Sequence, residues 1–475
     1  MRPIEIILLI TSTLIPVFFL FKPYKKYRLL SIVLVSFIFL AHLFFEGLRW
    51  QMFPAYIFTL LNLTLLLSKK SFWAKNKLAS FTIGFFALIF ILVGWILPVA
   101  FPIFDLPIPK GEYQVGSKQL VINIDRPEII SENPEDKRAF MVKVWYPALV
   151  VDEMREPYLD QGNRLGFSSK YGLPSWFTNY FDYFKTNTFL NPEIANGKFP
   201  VLVFSHGSYS EAYGYYALME ELVSQGYIVF NLNHTYESSG ALFPDGEIKL
   251  YHKEFDRKTN NQKMAEMAWN ATQEYQNAQN EAEKLAAVED LIRDYVAAEI
   301  TERWSEDITD LIDYLQKLEN TSFFGDHLDL SKIGVFGHSQ GASAAGQAML
   351  DDDRILAGIN LDGVQWGTMI DTSFNKPFLL ISSEWDENHP KLNKFSYRNL
   401  DKENFTSLMI KNSGHSNFMD IPLIVKVPYV NESGTIDVFK AYEIINSLIL
   451  NFFDKNLLDK DQEKMTDYPE VLNVD

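Results

Sequence analysis

A strand, a tight turn and a helix follow one another without a gap between Lys332 and Leu350, and no other stretch constrains the fold as much. KIGVF (Lys332–Phe336) is apolar after its leading lysine and reads as a buried strand. QGASAAGQAML, from Gln340 onward, reads as a helix with a face of Gly, Ala and Ser. Between them lies Gly337-His338-Ser339-Gln340-Gly341. In that setting a G-x-S-x-G predicts a sharp strand-to-helix turn that lifts a serine hydroxyl clear of a sheet. Side chains at the two glycines would collide with the turn, and Ala342, Ala344 and Ala345 let the helix pack close. The pentapeptide alone arises by chance in many chains. With a strand and a helix on either side it points to a hydrolase nucleophile, Ser339.

The surrounding pattern agrees. Strand-like runs are predicted at Gln119–Ile124, Ala139–Tyr146, Phe199–Ser205, Tyr227–Asn233, Lys332–Phe336, Ile355–Leu361, Pro377–Ser382 and Ser407–Ile410. Helical patterns fall between several of them, including Tyr215–Gln225 and Glu302–Leu318, with a terminal one at Val438–Phe453. Alternating strand and helix implies an α/β class with a mostly parallel sheet and a site at the carboxyl ends of its strands. Glu254–Ile300 departs from the alternation. It is rich in Gln, Asn, Glu, Lys and Ala, and is expected to be a solvated helical insertion, with a lid over the site as the sharper alternative. Phe167–Phe189 is crowded with aromatic residues that suit a core, an acyl pocket or a bilayer surface.

A serine nucleophile needs a base, an acid to orient that base, and donors for the oxyanion. His415, in Asn412-Ser413-Gly414-His415-Ser416, is the best base because it follows a strand and comes late in the chain. His206, His234, His252 and His327 precede the serine, and His389 lies in a polar turn; structural roles suit them better. Two acids end strands, Asp362 in NLDG and Asp386 in SEWD. Position alone leaves both open. The oxyanion hole is expected from the backbone N–H of Gln340 and that of Ser208, after FSHG (Phe204–Gly207).

The first 105 residues are of another kind. Four apolar runs, Ile6–Phe21, Leu29–Phe45, Met52–Ser68 and Leu78–Phe104, are separated by short polar breaks. The first three have 16–17 residues, the short end for crossing roughly 30 Å of hydrocarbon, and the fourth is long enough to tilt. Four transmembrane helices are therefore expected over residues 1–105, with residues 106–475 as the catalytic domain. The first break holds Lys22, Lys25, Lys26 and Arg28, and the third holds Lys69, Lys70, Lys75 and Lys77. The positive-inside rule places both breaks in the cytoplasm and the catalytic domain outside it. His42 and Glu46, near the end of the second run, are read as interfacial residues, with a functional pair as the alternative.

Charge narrows the partners. Residues 1–105 carry ten Lys/Arg against three Asp/Glu, a balance of +7, which leaves −24 of the total −17 on the remainder. So acidic a portion argues against nucleic acid and against broad adhesion to anionic lipid. Cysteine is absent, which excludes disulfides and thiolate metal sites.

Four segments together carry a family resemblance: KFPVLVFSHG (Lys198–Gly207), GHSQG (Gly337–Gly341), INLDG (Ile359–Gly363) and GHSNFMD (Gly414–Asp420). In order and spacing the chain resembles the type II platelet-activating factor acetylhydrolases, secreted and intracellular, over about Gly111 to Phe453. The resemblance implies an α/β-hydrolase fold, a triad of Ser339, Asp362 and His415, and oxyanion donors at Ser208 and Gln340. It implies hydrolysis of esters with short or oxidised acyl chains, as in sn-2-acetyl phospholipids, with no calcium, other metal or organic cofactor. The membrane module is foreign to the animal enzymes, and the polar insertion is longer. An acyltransferase or a general short-chain esterase would use the same triad, and a non-catalytic membrane sensor would keep the fold but lose a triad member.

Overall fold

The computed structural model describes residues 1–21, 27–68, 77–318, 321–385, 391–460 and 467–474. Thirteen strands occur among them: β1 Gln114–Pro127, β2 Lys137–Leu149, β3 Thr188–Leu190, β4 Glu193–Ile194, β5 Phe199–Ser205, β6 Ile228–Asn233, β7 Gly240–Leu242, β8 Ile248–Leu250, β9 Leu328–His338, β10 Ile355–Leu361, β11 Phe378–Ser382, β12 Phe405–Ile410 and β13 Val471–Asn473. All but β7 and β8 form one sheet, in the order β13-β12-β11-β10-β9-β5-β6-β2-β1-β3, with β4 beside β2. From β12 to β6 neighbouring strands run parallel. β1, β2 and β13 pair antiparallel at the flanks. Each strand expected from sequence is present: β1, β2, β9 and β12 run longer, and the other four match to within one residue.

Parallel strands need cover on both faces, which is why β5 (FPVLVFS) is apolar throughout and buried at every residue. One cover is helix Val296–Gln316, whose Trp304, Ile308, Leu311 and Leu315 recur every three or four residues and join the sheet core. Helix Val438–Leu458 covers the other face of β9, where Gly334 and Phe336 meet Phe453. A methyl on Gly334 would come within 2.6 Å of the Phe453 ring, so glycine is what permits that close approach. The polar insertion holds the helices Lys253–Thr259, Gln262–Asn277 and Glu281–Asp294. Gln262–Asn277 buries just Ala271. Glu281–Asp294 packs Ala287, Val288 and Ile292 against Ile370, Leu392 and Phe395.

The chain divides into two compact units. One comprises Met1–Phe104 together with Asn179–Phe184 and Leu423–Asn431; the other holds the rest. In the first, apolar helices span Pro3–Phe21, Arg28–Phe45, Phe53–Ser68 and Lys77–Ala100. Arg28–Phe45, Trp50–Ser68 and Phe81–Ala100 are long and apolar enough to cross a membrane, whereas Pro3–Phe18 is a shorter apolar run. Of the basic breaks, residues 22–26 and 69–76 lie outside the described residues. Part of the aromatic stretch belongs to this unit: Tyr180 meets Trp50, Phe184 meets Phe104, and Tyr183 donates to the carbonyl of Leu48 at 3.0 Å. The Glu46 carboxylate accepts the first free N–H groups of helix Pro3–Phe21, from Ile4 at 2.8 Å and Glu5 at 3.0 Å. His42 bridges Glu46 and the Tyr56 hydroxyl. Glu5 is paired with buried Arg49 at 2.7 Å. His42 and Glu46 thus tie helix ends together.

Candidate active site

Register along the parallel strands brings the expected residues to one edge. His338 of β9 lies opposite Leu361 of β10, Leu361 opposite Ile381 of β11, and Ile381 opposite Leu408 of β12. Ser339, Asp362 and the loop carrying His415 therefore leave the sheet at the same level, at its carboxyl edge.

Ser339 sits where strand becomes helix. Its N–H donates to the Leu361 carbonyl at 3.0 Å, and its backbone is held at φ 57°, ψ −120°. A left-handed φ at a non-glycine residue is a strained conformation that persists only when the surroundings impose it. The surroundings here are tight. A methyl on Gly337 would lie 2.1 Å from the Gly341 carbonyl, and one on Gly341 would lie 2.1 Å from the Ser205 carbonyl. Ser339 keeps partial exposure while residues 333–338 before it and 340–349 after it are buried. The turn delivers one hydroxyl to solvent.

Asp362 follows β10 and is also left-handed, at φ 54°, its N–H donating to the Ile381 carbonyl. Its carboxylate is buried, and one oxygen accepts from His415 Nδ1 at 2.7 Å. The His415 ring lies 4.5 Å from that of His338 and remains a third exposed. Burial pulls His415 down, but the hydrogen bond and charge of Asp362, with Glu432, outweigh it and hold the imidazole above its ordinary value. Among the described residues no hydrogen bond joins Ser339 Oγ to His415. Such bonds commonly tighten only once substrate is bound.

The second element is the loop after β5. Gly207 passes so close that a methyl on it would come within 3.2 Å of Ser339 Cβ. Exposed Ser208 follows, and Gln340 opens the helix Gln340–Asp351. Neither N–H has an acceptor among the described residues. Two free donors beside a serine are what an oxyanion needs.

Residues 100–473 match the family described as platelet-activating factor acetylhydrolase, isoform II. The chain belongs to that family. It is 27% identical over 288 residues to the platelet-activating factor acetylhydrolase of Gallus gallus, covering 56% of this chain and 64% of the chicken enzyme, just under two thirds. The dog enzyme (Canis lupus familiaris) is 26% identical over 382 residues, 74% of this chain and 77% of its own. A probable 1-alkyl-2-acetylglycerophosphocholine esterase of Arthroderma benhamiae is 31% identical over 173 residues, 30% of this chain and 44% of its own. Among solved structures, a ferulic acid esterase from Streptomyces cinnamoneus superposes with a TM-score of 0.62 at 23% identity, over 78% of this chain and 99% of that one. At that identity the likeness shows the fold, which is the α/β-hydrolase fold.

In this member of the acetylhydrolase family, two residues that motif reading passed over complete the surroundings of Asp362. Ser383 donates to Asp362 twice, through N–H at 2.7 Å and Oγ at 2.9 Å, and the Trp385 indole donates at 3.0 Å. Both stand in the SSEW run after β11, where the eye falls on carboxylates. The rival acid Asp386, like His389, lies outside the described residues. Of the other histidines, His252 accepts from the Phe255 N–H at a helix start, and His327 bonds to the Gly197 carbonyl. His206, His234 and His338 are buried among polar partners. Among the described residues no group of three or more His, Asp or Glu is gathered so as to hold a metal ion.

Proposed function

We propose that the chain is a membrane-anchored serine esterase that releases short or oxidised acyl chains from phospholipid-like esters through an acyl-enzyme. The observation that carries this reading is the contact of His415 with the buried Asp362 carboxylate at 2.7 Å, one strand over from a strained, partly exposed serine. Ser339 Oγ attacks the ester carbonyl while His415 Nε2 takes its proton. Asp362 fixes the tautomer and stabilises the imidazolium. The N–H groups of Ser208 and Gln340 hold the oxyanion. Collapse expels the alcohol, protonated by His415, and water activated by the same histidine frees the acid. The relatives' names supply the substrate class, and the apolar helices support anchoring at the bilayer where such lipids reside. The basic breaks support an extracytoplasmic catalytic domain.

The test uses the full chain in detergent on esters of graded acyl length, with and without a phospholipid head group. Rates that fall with acyl length and rise with the head group support the reading. A preference for long acyl chains would overturn it, and an alcohol acceptor that diverts product would favour an acyltransferase. Protease applied to intact cells should digest the region after Lys110; protection until lysis would reverse the topology.

A further inference from the structure

In the proposed reaction Ser339 and His415 meet at the substrate. A second connection runs behind them, through groups that touch no reacting atom. The Gly207 N–H donates to the Tyr215 hydroxyl at 3.2 Å. That hydroxyl donates to His338 Nδ1 at 3.0 Å, and His338 Nε2 donates to the carbonyl of His415 at 3.1 Å. Tyr215 and His338 are both buried. The His338 ring is fixed by the Phe418 ring, stacked at 5.9 Å, and by the edge of Tyr215 at 5.8 Å.

The chain also has an anchored far end. The carbonyl of Gly207 accepts from His206 Nδ1 at 2.7 Å and from Ser210 Oγ at 2.8 Å. His206 Nε2 in turn accepts the His234 N–H at 3.1 Å. Both peptide groups of Gly207 are therefore held, and the next residue is the proposed oxyanion donor Ser208.

We propose that Tyr215 and His338 are positioning residues, which lock the oxyanion loop at Gly207 to the backbone of His415 so that donor and base keep one spacing. The proposal rests on the triad reading above. Its chemistry is specific: a neutral imidazole accepts at one ring nitrogen and donates at the other across a rigid plane. His338 must be neutral to do so. Burial, with His415 and His206 beside it and Lys170 near, keeps it so by pushing its pKa well below the ordinary value. Tyrosine supplies the matching hydroxyl, which accepts from one neighbour while donating to the next. Phenylalanine in its place would leave the Gly207 N–H and His338 Nδ1 buried without partners.

The experiment compares Tyr215→Phe, His338→Leu and His338→Gln with wild type, full-length in detergent, for kcat, KM, the pH profile and the rate of fluorophosphonate labelling. Displacing reacting groups by about an ångström costs roughly a hundredfold. Tyr215→Phe and His338→Leu should therefore lose about tenfold to a hundredfold in kcat with KM little changed. Their acid limbs should move to lower pH, because a displaced His415 loses part of the Asp362 contact that raises it, Glu432 and His338 being the other titratable neighbours. His338→Gln, which can still donate to the His415 carbonyl, should recover part of the loss. Folded variants within twofold of wild type, or slowed without a shifted limb, would overturn the proposal. So would His338→Gln and His338→Leu behaving alike, or all three failing to fold. Ser339→Ala run alongside separates the readings: if it still labels, the triad assignment fails, whereas normal labelling of Tyr215→Phe alone defeats only this inference.

Discussion

Among the described residues are two Ser–His–Asp constellations, and the one whose hydrogen bonds are complete is the fully buried one. In the first, Ser205 Oγ donates to His234 Nε2 at 2.8 Å and His234 Nδ1 donates to Asp307 at 2.8 Å. In the second, His415 meets Asp362 at 2.7 Å and Ser339 stands apart. Hydrogen bonds alone would choose Ser205, whereas exposure favours Ser339. Ser205, His234 and Asp307 are fully buried, and Ser205 belongs to the sheet strand β5, so no substrate reaches it.

The acids differ as much as the serines. Asp307 is already paired with two guanidinium groups, Arg138 through Nε at 3.0 Å and Nη2, and Arg126. Burial drives His234 down, the pull of Asp307 does not offset it, and Arg138 opposes protonation. Asp362 has neutral donors on three sides, and its one ion-pair partner among the described residues is His415. Its charge is left for the imidazolium. A catalytic carboxylate is one whose charge the fold has not spent elsewhere.

Substituting the two serines should separate the sites most widely. Ser339→Ala should abolish fluorophosphonate labelling and lower kcat by about 10⁶, while Ser205→Ala should stay within about threefold. A reversed outcome would move the nucleophile into the core.

Next come the acids. Asp362→Asn should cost about 10⁴ in kcat with the fold intact, because the amide favours the wrong histidine tautomer. Asp307→Asn should take a buried carboxylate from Arg138 and Arg126, leaving Arg138 with Glu128 and Arg126 with Glu306 and Asp310. It is expected to destabilise by about 3–5 kcal/mol, read from denaturant unfolding, with kcat per folded molecule within tenfold. Asp386→Asn should remain within a few-fold of wild type; if it were the dead variant, the acid would be Asp386.

The pH profile sharpens the same contrast. His415 acts as a base only when neutral, and its pKa is raised above the ordinary 6.5. Activity should therefore be full above that raised value and fall as pH drops through it, at a higher pH than an isolated histidine would give. An acid limb at or below 6.5 would mean that Asp362 does not act on His415 in solution. A modest effect is expected at Trp385. Trp385→Phe removes one of the donors to Asp362, worth about 1 kcal/mol, so kcat should fall about fivefold.

Much of this was legible in advance, for identifiable reasons. The α/β class, the elbow and the late histidine are encoded locally, in apolar runs and in glycines whose missing side chains the turn demands. The resemblance chose between Asp362 and Asp386, which position could not. What stayed hidden is tertiary. Nothing near Tyr215 shows that its hydroxyl meets His338, 123 residues on. Nothing in FSHG shows that Ser205 has a histidine of its own, since that pairing joins separate strand ends. The N-terminal runs announce apolar helices, but Glu46 capping a helix that begins some forty residues earlier leaves no periodic trace.

Trp385 has a use beyond restraint. Its indole donates to Asp362, its ring lies 6.4 Å from that of His415, and it keeps 39% of its surface open. The fluorophore thus bonds to one member of the Asp362–His415 pair and lies near the other, whose protonation the proposed reaction changes. Subtracting the emission of Trp385→Phe from that of the native chain would isolate a built-in optical gauge of the His415 proton. Titrated without substrate, it would report the protonation state of the resting enzyme by light alone, in detergent or in a native membrane, with no label attached.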